Sequence, residues 1–146
     1  MTSIDFYFNA ADRLQVACRL AGKALAERQR MLIYAPEPEL AARLDRLMWT
    51  WPATGFVPHC AAEDALAAET PVLIASGDKA GEETPADVPL LLNLSAECPP
   101  HFASFERLFE VVGADEAERE AARVRYRLYR SRGYAIANHD LARDDG

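Results

Sequence analysis

Hydrophobic and polar positions along this chain follow two alternating rhythms. Ile4 to Phe8 alternates as a short aromatic strand, and Leu14, Ala17, Cys18, Ala21 and Leu25 then recur at helical spacing within Leu14 to Glu27. Met31 to Ala35 (MLIYA) is an unbroken apolar run of strand length, the pattern of a strand buried on both faces. Pro36 and Pro38 punctuate it, and Pro38 suits the first turn of a helix over Glu39 to about Thr50, with Leu40, Leu44 and Leu47 on its inner stripe. Phe56 to His59 and Pro71 to Ser76 (PVLIAS) read as further strands. Gly77 to Ala86 (GDKAGEETPA) reads as a polar, mobile surface loop, and Leu90 to Leu94 (LLLNL) as another buried strand. Phe102 and Phe105 sit on a helical turn, and Arg107 to Val112 returns to strand character. A further helix follows, capped by Gly133, and Tyr134 to Asn138 reads as a last strand.

Strands alternating with helices, several of the strands uniformly apolar, indicate an α/β fold: a single three-layer domain over residues 1–146 with a mostly parallel sheet. The architecture is nucleotide-binding-like (Rossmann-like), so the matching motifs matter. There is no GxGxxG after the first strand and no GxxxxGK[ST]; the loop after strand one reads NAADR, without a glycine. No nucleotide or other cofactor is therefore expected. The 146 residues suffice for one core, at 50% hydrophobic and 27% charged. No apolar run reaches membrane-spanning length, and the start MTSIDFYF is not a signal peptide, which points to the cytoplasm. Cys18, Cys60 and Cys98 are far apart and without CxxC spacing, so neither a disulfide framework nor a zinc site is implied.

Charge changes the picture at one place. Arg119 to Arg132, REAARVRYRLYRSR, holds six arginines and one glutamate, a local +5 in a chain of net −7, so the remainder sums to −12. Helical spacing puts Ala117, Ala121, Val124 and Leu128 on one stripe, expected to pack inward, and Arg119, Arg123, Tyr126 and Arg130 opposite it, facing water. Guanidiniums around an aromatic ring suit an acidic, partly apolar ligand. A merely solvated face is the competing reading. Against it, Arg119, Arg123 and Arg127 repeat at four-residue steps without i+4 glutamates and repel one another unless an anion arrives.

Other candidate chemistry is thin. His59, His101 and His139 have no ligand-type partner at i+3 or i+4, Ser76 in IASGD lacks the GxSxG elbow, and Glu82 and Glu83 lie in the polar loop. His59, at a strand end, is where α/β enzymes place catalytic groups, although a histidine bonded to backbone is the plainer role. Trp49 falls opposite the Leu40 direction and should point outward beside Trp51, Pro52 and Phe56. That cluster is either a satellite core or the anchor of a protein interface.

The blocks FYF, LIYA, LDRLMWTW running into FVPH, PVLIAS, DVPLLLNLS, FASFERLFEVV and ARVRYRLYRSRGY span nearly the whole chain. In this order they resemble the chi subunit family of the bacterial DNA polymerase III holoenzyme, small accessory subunits of the clamp loader. The LDxxxW…FVPH and RYRLYRxRGY blocks are the specific ones. The resemblance implies a nucleotide-binding-like fold with no need of a nucleotide and no catalytic activity. It also implies two partners: the psi subunit of DNA polymerase III, and the acidic, phenylalanine-ended C-terminal tail of single-stranded DNA-binding protein (SSB). Nucleic acid would be reached mainly through SSB. Carried over by residue, the tail site comprises Arg119, Arg123, Tyr126, Arg127 and Arg130, with Arg123 for the terminal carboxylate and Tyr126 for the wall of the ring slot. The psi face comprises Trp49, Pro52, Phe56 and Val57. Gly113 to Glu118 looks shorter than in some relatives, which leaves Val111, Val112 or Ala114 to supply the apolar wall. Two alternatives stand beside this: a small α/β enzyme using His59 and Asp78, and direct binding of single-stranded DNA by the Arg119–Arg132 helix.

Overall fold

The computed structural model describes residues 1–50, 57–64, 66–78, 80–81 and 87–142. In chain order these form β1 (Ser3–Ala10), α1 (Arg13–Ala26), β2 (Met31–Tyr34), α2 (Pro38–Thr50), β3 (His59–Ala61), β4 (Val72–Ala75), β5 (Leu90–Asn93), β6 (Arg107–Gly113), α3 (Glu116–Ser131) and β7 (Ile136–Asp140). The strands make one seven-stranded sheet in the order β3-β4-β2-β5-β6-β1-β7, and every pairing is parallel. The α/β expectation holds, and the apolar runs explain it. Met31 and Ile33 of β2, Val72 and Ile74 of β4, and Leu90 and Leu92 of β5 enter one core with α1 and α2. The residues between them, Leu32, Leu73 and Leu91, enter a second core with Ala122 and Tyr129 of α3. Central strands between two helical layers must be apolar on both faces.

Local chemistry sets several helix ends, Pro38 and Gly133 as expected and Asp12 in addition. The Asp12 carboxylate caps α1 by accepting from the N–H groups of Leu14 at 3.0 Å and Gln15 at 3.3 Å. Pro38 opens α2. Gly133, at φ +83°, ends α3, with its N–H on the Arg130 carbonyl and that of Tyr134 on the Tyr129 carbonyl.

Three expectations change. The strand placed at Phe56 to His59 starts at His59, Val57 and Pro58 lying before it and Phe56 outside the described residues. In the polar loop, Ala80 is buried in the second core, while residues 79 and 82–86 lie outside the described residues. The third change concerns α3. Its buried residues are Ala122, Arg125 and Tyr129, whereas Val124 is 60% exposed and Ala117 is exposed. The inward stripe lies one residue later than the apolar pattern suggests, a rotation of about 100°.

The cause of that rotation is a buried ion pair. Glu110, on β6, is fully buried, and its carboxylate accepts from Arg125 (Nη2 to Oε1 3.1 Å, Nε to Oε2 3.2 Å) and from the Tyr129 hydroxyl at 2.6 Å. The Asn93 amide donates to both carboxylate oxygens, and Arg125 also donates to the Ala96 carbonyl at 2.9 Å. Burial pushes the Glu110 carboxyl above its ordinary value, against the pull of Arg125, Tyr129 and Asn93. An inward arginine is tolerable here because every polar end of the group finds a partner.

Candidate functional site

The rotation of α3 decides where its other arginines go. With Arg125 and Tyr129 turned to the sheet, Arg119, Arg123 and Tyr126 stand beside the inward stripe rather than opposite it. There they line a cleft of about 230 Å³ between α3 and the β1–β7 edge. Phe6 and Phe8 of β1, Val112 of β6, Ala122 of α3 and Asn138 of β7 complete it, together with Asn9. Asn9 sits at a β1 irregularity with φ +62° and donates to the Asp140 carboxylate at 2.9 Å.

Tyr126 is half-buried. Its ring lies 5.1 Å from that of Phe6, and its hydroxyl accepts from the Asn138 amide at 3.2 Å. The Phe6 ring in turn meets Tyr129 at 6.0 Å, so the aromatic floor is continuous with the core. A dry cavity of about 150 Å³ is enough to hold benzene, so this one is large enough for a phenyl ring. Of Val111, Val112 and Ala114, only Val112 lines the cleft.

Charge at the mouth is not free. Arg123 Nη1 meets Glu116 Oε1 at 3.3 Å and makes a close contact with Glu120 Oε2, and Arg119 lies 4.0 Å from Glu116. These carboxylates push Arg123 further above its already high value. The expected mutual repulsion along the helix is therefore relieved by glutamates three and seven residues earlier, rather than left for a ligand. Arg127 and Arg130 are exposed but do not line the cleft, and no ion pair is formed by either among the described residues.

The second expected site is only partly in view. Trp49 is 57% exposed on α2, its ring 4.9 Å from that of His59. Pro52 and Phe56 lie outside the described residues. Val57 is a correction: at 2% exposure it belongs to the core beneath α1 and α2 and presents no surface.

His59 is buried, with ring nitrogens 2.7 Å from the Val57 carbonyl oxygen and 3.1 Å from an Asp45 carboxylate oxygen. It opens β3, whereas Asp78 follows the end of the adjacent parallel β4. The two are at opposite ends of these neighbouring strands and are not brought together.

At the α1 N-terminus, the kind of position where nucleotide-binding α/β folds cradle phosphate, the N–H groups of Leu14 and Gln15 are taken by Asp12. Arg13 beside it is tied to Glu118 at 2.6 Å and to the Leu94 carbonyl at 3.1 Å. These residues do not fit a phosphate. Among the described residues, no group of three or more His, Cys, Asp or Glu is placed to hold a metal ion, and no helix is long and apolar enough to cross a membrane.

Sequence reasoning reached the arginine side of the cleft but missed Phe6, Phe8, Asn9, Asn138 and Ala122. The alternation in FYF, which sets Phe6 and Phe8 on one face, was the available signal for two of them.

The fold and cleft define an α/β protein with a parallel sheet, in which an aromatic cleft lies under an arginine helix. The model of the DNA polymerase III chi subunit family (HolC) matches residues 1–137. The chain belongs to that family, which places it in DNA replication as a subunit of DNA polymerase III. It is 37% identical to the DNA polymerase III subunit chi of Pseudomonas aeruginosa over 147 aligned positions, covering 98% of this chain and 99% of that one. The subunits chi of Haemophilus influenzae and Escherichia coli K12 are each 28% identical, over 87% and 84% of this chain and 86% and 81% of their own.

Proposed function

We propose that the chain is a non-catalytic adaptor of the cytoplasmic replication machinery that receives the acidic, phenylalanine-ended tail of SSB in the α3 cleft. The observation that carries this reading is the pairing of a phenyl-sized aromatic slot with two guanidiniums at its mouth. Phe6, Tyr126 and Val112 offer the slot, and Arg119 and Arg123 the cations. The tail's terminal ring would enter the slot, its α-carboxylate would be taken by Arg123, and its upstream acids would pass Arg127 and Arg130. One buried ring and a few exposed ion pairs correspond to a Kd of about micromolar. Several tails on one SSB assembly would raise the apparent affinity through effective concentration.

Trp49, on the opposite helical layer, is the proposed anchor for the psi subunit, so that the two partners are held on different faces.

The test is calorimetric titration of an acidic tail peptide, with and without its terminal phenylalanine, into wild type and Arg123→Ala. Binding that needs the phenylalanine and falls at least about tenfold in the variant supports the reading. Direct binding to single-stranded DNA with a steep salt dependence, and none to the peptide, would replace it.

A further inference from the structure

The arginines of α3 fall into three groups by what already neutralises them. Arg125 is held inside by Glu110. Arg127 and Arg130 form no ion pair among the described residues. Arg119 and Arg123, the two at the cleft mouth, are met by carboxylates of their own helix: Glu116 reaches both, and Glu120 reaches Arg123. The same Arg123 Nη1 faces both glutamates.

We propose that Glu116 and Glu120 are built-in competitors, carboxylates of the chain that occupy Arg123 until an anionic ligand displaces them, and that they set the affinity of the cleft. The inference rests on the proposed reading of the cleft as a carboxylate-receiving site.

Position and exposure both support it. Glu116 and Glu120 are 72% and 61% exposed on their side chains, so their pairs with Arg123 are screened and can be broken by an incoming carboxylate. Glu116, in the first turn of α3, also benefits from the helix N-terminus. Glu120 stands beyond that turn, where the favourable field has faded, so its pairing with Arg123 is its main electrostatic contact. A ligand carboxylate must therefore break one or two intramolecular pairs and approach two like charges. Glu118 provides an internal contrast. It is in the same turn of the same helix but pairs with Arg13, away from the cleft.

Displacement makes a prediction that simple helix stabilisation does not. Each glutamate should weaken the binding of a peptide with a free terminal carboxylate, and should leave alone the binding of the same peptide as its C-terminal amide. It should do so only while Arg123 is present.

The experiment titrates a synthetic acidic decapeptide ending in phenylalanine, and its C-terminal amide, into wild type, Glu116→Gln, Glu120→Gln, the double glutamine variant, Glu118→Gln and Arg123→Ala, and into Glu120→Gln combined with Arg123→Ala. Circular dichroism melts accompany each titration to show that the variant is folded. We expect each of Glu116→Gln and Glu120→Gln to bind the free-acid peptide about two- to five-fold more tightly, with the double variant tighter still. Glu118→Gln should stay within about 1.5-fold of wild type, because Glu118 is paired with Arg13 and not with an arginine of the cleft. Without Arg123, Glu120→Gln should have no effect on affinity.

Unchanged or weaker binding by both single variants, with wild type still bound and Arg123→Ala impaired, would overturn the competitor role alone. So would an equal gain from Glu118→Gln, which would reduce the effect to net charge. Failure of wild type to bind either peptide at low salt would instead remove the cleft reading itself.

Discussion

The buried Glu110–Arg125 pair makes a demanding prediction. Arg125→Met keeps most of the side chain's length but removes its charge and donors. Glu110 then stays fully buried with only the Tyr129 hydroxyl and the Asn93 amide as partners, and the Ala96 carbonyl loses its donor. Removing one member of a buried pair costs about 3–5 kcal/mol, a large fraction of the 5–15 kcal/mol that keeps an ordinary domain folded. At about 2–4 °C per kcal/mol for a chain of this size, the melting temperature should fall by roughly 6–20 °C. Replacing both members, Glu110→Leu with Arg125→Met, removes the orphaned charge and should recover most of the loss. The assay is urea unfolding followed by circular dichroism on wild type, Arg125→Met, Glu110→Leu and the double variant, read as a double-mutant cycle with a coupling of at least about 2 kcal/mol. If Arg125→Met costs less than about 1 kcal/mol, or the double variant is no better than the single ones, then α3 does not present Arg125 to Glu110 and the placement of the cleft arginines falls with it.

Three further outcomes are expected. Burial, with help from Asp12, pushes the Cys18 thiol up to about 11, so at pH 8 only about one molecule in a thousand carries the thiolate; Cys60 and Cys98 should react with a thiol reagent well before Cys18, and rapid native labelling of Cys18 would contradict its place in the core. Asp12→Ala removes the acceptor for two α1 N–H groups and should cost about 0.5–2 kcal/mol in chemical denaturation. Trp49→Ala should cost less than about 1 kcal/mol while abolishing capture of the psi subunit, whereas Val57→Ala should lower stability by about 1–3 kcal/mol; the reverse pattern would exchange the roles of these two residues.

The apolar runs of β2, β4 and β5 made the sheet legible, because strands buried on both faces leave no other arrangement so simple. The start of α2 and the end of α3 were legible for a local reason, Pro38 and Gly133 each serving one backbone need, whereas the Asp12 cap of α1 was not read. The rotation of α3 was not. Ala117, Ala121, Val124 and Leu128 formed the better apolar stripe, and apolarity is the usual guide to the inward face. What reversed it is non-local: Arg125 goes inward because Glu110, fifteen residues earlier on another element, is there to meet it. The hint was a glutamate inside the apolar strand FEVV. The cleft suffered in the same way, since its arginines could be seen along one helix, while Phe6, Phe8 and Asn138 join them only through the pairing of β1 with β6 and β7. The glutamate pairs were missed because they run backwards along the helix, three and seven residues before Arg123.

The place of β1 in the sheet also bears on how the protein emerges from the ribosome. Its neighbours are the last two strands to be made: Ser3 aligns with Arg107 and Phe8 with Asp140. Until then the aromatic FYF segment has no strand to pair with, and the contacts that shelter it span more than a hundred residues, a slow kind of closure. At about 5–20 residues per second, the nascent chain carries it unpaired for roughly 5–25 seconds. This interval is when the chain is most exposed to wrong partners and to chaperones. The cleft, built from residues at both ends of that interval, comes into being only at its close, so a chain stalled before β6 holds Phe6 and Phe8 without the Val112, Tyr126 and Asn138 that complete the slot.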